Sequence, residues 1–186
     1  MAGMHDGERN QALGTPWEWI RRIERCLEAS FDVDVCASDE NRKAEKYYTK
    51  EDNGLRQPWN GLAWCNPPFR SIAPWVSKAI KECHTNQDHI GTVMVVPANR
   101  SDQAWWQHLR ELEHLNMAVS SYPAERIYYV GGPSKPPFPS MFWGIGAPRV
   151  MARLHLMEGF NGLSGAIRGK PKKPLKLARV KKGDMV

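Results

Sequence analysis

Apolar residues recur three and four positions apart at Ile20, Ile23 and Leu27. They follow Thr15-Pro16-Trp17-Glu18, a capping-box arrangement with proline at the first helical position. The spacing predicts a helix over 16–29. Phe31-Asp32-Val33-Asp34-Val35 alternates apolar and acidic, the period of a short strand, and ends at the small residues Cys36-Ala37-Ser38. Residues 39–61 are polar with isolated aromatics; they read as a short helix around 41–47 and then a long loop. Leu62-Ala63-Trp64-Cys65 is a second apolar strand. Asn66-Pro67-Pro68-Phe69 stops it, because proline has no amide hydrogen to give a ladder.

Downstream, Ser71 caps a helix over 72–84, one face of which is the stripe of Ile72, Trp75, Val76, Ala79, Ile80 and Cys83. Residues 91–96 are apolar throughout, as in a strand covered on both faces, and Pro97 ends them. Ser101 caps a further helix with Trp105, Leu109, Leu112 and Leu115 inward. Segments 117–120, 126–130 and 141–145 read as strands, and 150–156 as an edge strand or a last helix. This alternation predicts an α/β fold: an open, Rossmann-like sheet with helices on both faces. The sheet is mostly parallel and ends in a C-terminal antiparallel hairpin. Ligands of such sheets bind at the carboxyl ends of the strands, where Asp34-Val35-Cys36-Ala37 and Asn66–Phe69 both fall.

Composition narrows the partners. The chain has 186 residues and a net charge of +6, but the charge is not spread evenly. From Arg168 onward there are eight Lys or Arg and one Asp, a net +7, so the rest carries −1. The organisation expected is a disordered N-terminus over 1–14, one body over 15–160, and a basic, disordered tail over 161–186. The tail is either a solvated terminus or an arm for nucleic-acid phosphates, with Lys172 and Lys173 as contacts. The N-terminus lacks a secretory h-region, and no apolar run is long enough to span a bilayer. Scattered cysteines and histidines give no metal-ligand spacing. An intracellular, cytoplasmic protein with reduced thiols, no membrane and no metal is the expectation.

The chemistry turns on Trp64-Cys65-Asn66-Pro67-Pro68-Phe69. Cys65 sits in an apolar strand without an activating neighbour, where burial raises a thiol pKa. Asn66 offers a carbonyl oxygen, Pro67 a backbone carbonyl, the Pro67-Pro68 pair a stiff turn, and Phe69 a face for a planar ring. Two acceptors and a stacking face hold an exocyclic amine and turn its nitrogen lone pair out of conjugation. A rigid strand-ending turn with a surface Asn is the plainer alternative.

In this context the motif resembles that of the amino-group methyltransferases. TPWEWI, FDVDVCAS, YYTKEDNGLRQPW, WCNPPF, VMVVPANR and FPSMFW together resemble the phage-type DNA N6-adenine methyltransferases. The likeness runs from about Thr15 to Gly146. It implies a Rossmann-like methyltransferase sheet, S-adenosylmethionine as cofactor and DNA as partner, in the host cytoplasm if the gene is a phage's. Asn66, Pro67, Pro68 and Phe69 would be catalytic. Thr15, Pro16 and Trp17 would lie against the methionine part of the cofactor, Asp34, Cys36 and Ala37 would line its loop, and Asp52 would sit near its adenosine. Asp34 is expected to accept from the cofactor ammonium or from nearby amides, and its loss to weaken cofactor binding with melting nearly unchanged. DVCAS stands where methyltransferases generally carry FxGxG. Candidate DNA contacts are Arg70, Asn99, Arg100 and Lys135. Trp59 and Trp64 are read as core in preference to a cofactor shelf. Methylation of cytosine N4, an RNA base or a protein glutamine shares the motif, and a non-catalytic nucleic-acid binder is a reading from another class.

Overall fold

The computed structural model describes residues 13–123, 125–132, 138–146 and 153. Helix α1 (Trp17–Leu27) buries Trp19, Ile20, Ile23 and Leu27, the stripe its spacing dictates. Then follow β1 (Val33–Asp34), β2 (Lys46–Tyr47), a 3-10 turn over Gly54–Arg56, and β3 (Gly61–Cys65). Helix α2 (Ala73–Thr85), β4 (His89–Pro97), helix α3 (Ala104–His114), β5 (Ala118–Ser121) and β6 (Ser140–Gly146) complete the order among the described residues.

Among the described residues six strands form one sheet, in the order β2-β1-β3-β4-β6-β5. Pairs β1–β2, β1–β3 and β3–β4 are parallel, while β6 runs antiparallel to both β4 and β5. The expected C-terminal antiparallel pair is therefore present, with β6 inserted between β4 and β5.

Alternation along the central strands assigns the two faces. Leu62, Trp64, Val93, Val95 and Phe142 pack with α1 on one side. Ala63, Cys65, Met94, Val96, Met141 and Trp143 pack with α2 and α3 on the other. Helices thus cover both faces, and Trp59 and Trp64 are core as expected. Each fully buried large aliphatic, such as Ile20 or Leu109, contributes roughly 1.5–3 kcal/mol over an exposed position. Gly61 (φ 76) starts β3 against Asp32, whose carboxylate takes the Leu62 amide at 2.7 Å and fixes the register.

Several expectations are corrected. Residues 41–47 do not form a helix: the Lys43 amide goes to Asp34, and Lys46–Tyr47 pair with β1 as a strand. Asn41 Oδ1 accepts from the Ser38 amide (2.8 Å), the Asp34 carboxylate accepts from the Lys43 amide (2.9 Å), and the Asp34 carbonyl accepts from the Tyr48 amide (2.9 Å). Segment 126–130 keeps its period of two, with Ile127 and Tyr129 buried and Tyr128 and Val130 exposed. It is no sheet strand, however, and Val130 pairs with Gly14 instead. Leu115 is 67% exposed because the helix has already ended at its position. None of the three α-helices among the described residues has a side-chain cap hydrogen bond, so the Thr15, Ser71 and Ser101 caps do not form. Leu13 and Gly14 belong to the folded body: Leu13 is buried and Gly14 is bridged to Val130. Residues 1–12, the basic tail and the 150–156 segment other than Arg153 lie outside the described residues.

Candidate active site

The chain reverses direction across the sheet between β1 and β3. From β1 it steps outward to β2, then returns to β3 on the other side of β1 and continues to β4. The crevice at such a switch point, outside the carboxyl ends of the strands, is where open α/β sheets take ligands. The loops after β1, β3 and β4 all emerge at this edge. Asp34 is paired with Trp64, two residues before Asn66, so the two sequence motifs stand side by side.

Asn66 is half-buried and Pro67 is buried. The Asn66 side-chain amide donates to the Leu13 carbonyl at 2.6 Å. Only its NH2 can make that bond, so the contact orients the amide and turns Oδ1 away from Leu13. Among the described residues nothing donates to Oδ1 or to the Pro67 carbonyl. The turn is closed by the Ser71 amide on the Pro68 carbonyl (2.8 Å). Phe69 meets Tyr129 and Phe138 edge-on, with centroids 5.7 and 5.4 Å away, so an aromatic wall stands beside the two acceptors. Tyr129 is itself fixed by its hydroxyl bond to Ser140 Oγ (2.9 Å).

Asp34 is 2% exposed rather than an open strand-end acid. Its carboxylate accepts the amides of Cys36 (3.2 Å) and Lys43 (2.9 Å) and so folds the DVCAS loop back on itself. Burial pushes its pKa up to about 7, against the pull of those two amides and the Lys43 charge. Cys36 is pushed up to about 12 by burial and by the Asp34 charge. Lys43 Nζ sits 4.9 Å from the centroid of the Trp17 ring, and Gly14 abuts Asn41. The N-terminal arm, the DVCAS loop and the Asn66 turn therefore converge. Thr15 adds a buried hydroxyl without a partner among the described residues.

Cys65 is fully buried between the sheet and α2, and burial raises its pKa, with the Cys36 and Asp34 charges adding to the effect. No thiolate is available there. Among the described residues no three His, Cys, Asp or Glu gather as a metal site, and no helix is long and apolar enough to cross a membrane.

The sequence profile of the family described as DNA N-6-adenine-methyltransferase (Dam) matches residues 5–135. The chain belongs to that family. Its similarity to the DNA N-6-adenine-methyltransferase of Escherichia phage T1 is 34% identity over 117 residues, covering 56% of this chain and 47% of the phage protein. The same-named protein of Haemophilus phage HP1 is 36% identical over 69 residues, covering 37% of this chain and 40% of that one. The chain thus spans about half or less of the length of these relatives. The solved structure of the 23S rRNA methyltransferase ErmE aligns over 80% of this chain and 76% of its own, at TM-score 0.38 and 11% identity, too weak a likeness to weigh. Family membership implies a methyl donor.

The remaining sequence candidates divide into three groups. Arg70 and Arg100 line one cleft of about 440 Å³ with Phe69, Ser71, Pro74 and Trp105, so two of the positive charges border one cleft that Phe69 shares. Asn99 is exposed at the same edge. Asp52 is exposed and occupied locally, taking the amide and hydroxyl of Thr49 (both 2.8 Å), and these bonds lower its pKa. Lys135, Lys172 and Lys173 lie outside the described residues. Leu13 and Tyr129 were missed from sequence. Leu13 acts through its main chain, which carries no sequence signal, but Tyr129 is signalled by the buried phase of the 126–130 alternation.

Proposed function

We propose that this chain is an S-adenosylmethionine-dependent methyltransferase that modifies the N6 amino group of adenine in DNA. The observation that carries the reading is the state of Asn66. Its NH2 is tied to the Leu13 carbonyl, which leaves Oδ1 as an acceptor beside the Pro67 carbonyl and the aromatic wall of Phe69. An adenine amino group has two N–H donors, one for each acceptor. Donating both turns the nitrogen lone pair out of the ring system, with no covalent intermediate on the protein. A base inside a duplex cannot reach this recess, so it flips out, and Phe69 supplies the stack that replaces its neighbours.

S-adenosylmethionine, when bound, supplies an electrophilic methyl group on a sulfonium. The residues at the switch point fit it: Thr15 has a buried hydroxyl with no partner among the described residues, and Trp17 is half exposed beside the DVCAS loop. Thr15, Pro16, Trp17, Cys36 and Ala37 would hold the cofactor, with Asp34 shaping their loop and Asp52 toward its adenosine end. Arg70 and Arg100 bind backbone phosphate and hold the duplex against the recess, with Asn99, Lys135 and the tail lysines Lys172 and Lys173 as further DNA contacts. The catalytic body is residues 15–160 with the Leu13–Gly14 arm, and residues 161–186 are a phosphate-attracting arm, inside the host cell if the gene is a phage's.

Incubation with labelled S-adenosylmethionine and, separately, duplex DNA, single-stranded DNA, RNA and protein tests this. Digestion should place the label on N6-methyladenine from DNA. Label on cytosine, RNA or glutamine moves the reading to another planar amine. No label and no saturable cofactor heat in calorimetry would leave a non-catalytic binder.

A further inference from the structure

We propose that the Leu13 main-chain carbonyl is a positioning group for Asn66, and that it makes the first motif position of this chain selective for an amide over a carboxylate. The inference rests on the reading that Asn66 presents its oxygen to a substrate amine.

The carbonyl is itself held in place. The Leu13 side chain is 7% exposed and packs in the α1-side core. Gly14 exchanges two hydrogen bonds with Val130, its amide donating at 3.1 Å and its carbonyl accepting at 2.8 Å. Thr15 follows, 1% exposed. The arm therefore cannot withdraw without breaking a bridge and exposing an apolar side chain. Its carbonyl needs a donor, and Asn66 Nδ2 at 2.6 Å is that donor.

A carboxylate at this position would set an acceptor against an acceptor at hydrogen-bond distance. Ionised, it is pushed off the Leu13 carbonyl and loses the orientation that presents its second oxygen. Protonated, it donates its O–H to Leu13 and leaves its C=O facing the substrate, as the amide does. The protonated form is favoured, so the introduced carboxyl titrates upward of its ordinary value.

The test is Asn66→Asp in the full chain. With aspartates carrying a 13C label in their carboxyl groups, NMR titration should find the new carboxyl changing charge above about pH 5 rather than near the ordinary ~3.9. Transfer to duplex DNA should be lower than the wild type on the order of 100-fold at pH 8, and the deficit should shrink as pH falls through that same titration. Adding Gly14→Pro, which removes the amide bonded to Val130, should bring the titration back toward ~3.9. A carboxyl that titrates at or below ~3.9 in Asn66→Asp overturns the inference. If that variant does not fold, hydrogen exchange of the wild-type Asn66 side-chain amide decides. Protection above that of the exposed Asn99 amide supports the bond, and equal exchange overturns it. A raised titration in a protein that methylates no DNA would sink the proposed function and leave the positioning role standing.

Discussion

Asp34 makes the stability of this fold depend on pH, with a sign that can be worked out. In the folded chain its carboxyl is pushed up to about 7, chiefly by burial. In the unfolded chain it titrates near ~3.9. Between those values the folded state keeps a proton that the unfolded state has lost. The contribution is therefore complete below about pH 4 and drains away as pH rises toward 7. A gap of about three pKa units at about 1.4 kcal/mol each sets a ceiling of about 4 kcal/mol. At 2% exposure there is little solvent screening to reduce it. Asp34→Asn keeps an acceptor for the loop amides and removes the charge. Urea unfolding of the two proteins from about pH 4.5 to 7.5 should show the wild type losing at least about 2 kcal/mol relative to the variant. Asp34→Ala instead leaves the Cys36 and Lys43 amides without their acceptor. At about pH 5, where little charge is relieved, it should cost roughly 1–3 kcal/mol per amide. The stability effect departs from the role expected of an open acid, whose loss would leave melting unchanged. Parallel stability curves for wild type and Asp34→Asn, with Asp34→Ala melting normally, would refute the buried, loop-holding carboxylate.

Other outcomes follow from the same geometry. Cys65→Ala should keep near-normal methyl transfer, at a cost in urea stability, because the thiol is fully buried and burial holds its pKa well above the ordinary thiol range. Arg70→Ala and Arg100→Ala should each lower the slope of log affinity for duplex DNA against log salt by about 0.9, without changing cofactor affinity; an unchanged slope would remove that arginine from the interface. Phe69→Ala should weaken capture of a single-stranded adenine oligonucleotide by about 1–3 kcal/mol in a fluorescence titration.

Legibility in the sequence followed how local each determinant is. The α1 stripe, the apolar runs of β3 and β4 and the turn at Asn66-Pro67-Pro68 are encoded by neighbours in the chain, and all were read correctly as elements. The 41–47 segment was misread because its amides are claimed by Asp34 and by β1, partners that periodicity does not register. Thr15 had the residues of a capping box, yet tertiary packing buried its hydroxyl without a cap bond. Segment 126–130 showed a strand's alternation but could not show that its partner is Gly14. Asn66 was legible as the residue that follows β3 at the ligand edge of the sheet. That Leu13 orients it was not, because a main-chain carbonyl has no letter of its own and the bond spans 53 positions.

The central claim is that the Asn66 amide oxygen, and not the Cys65 thiol, activates the acceptor amine. The most direct measurement is single-turnover transfer of labelled methyl from S-adenosylmethionine to duplex DNA by Asn66→Ala beside Cys65→Ala, with cofactor affinity measured on both. The account predicts a rate lowered by orders of magnitude for Asn66→Ala with cofactor affinity within a few-fold of wild type, a near-normal rate for Cys65→Ala, and label on adenine N6. A working Asn66→Ala beside a folded but inactive Cys65→Ala, with label on a ring carbon, would contradict it.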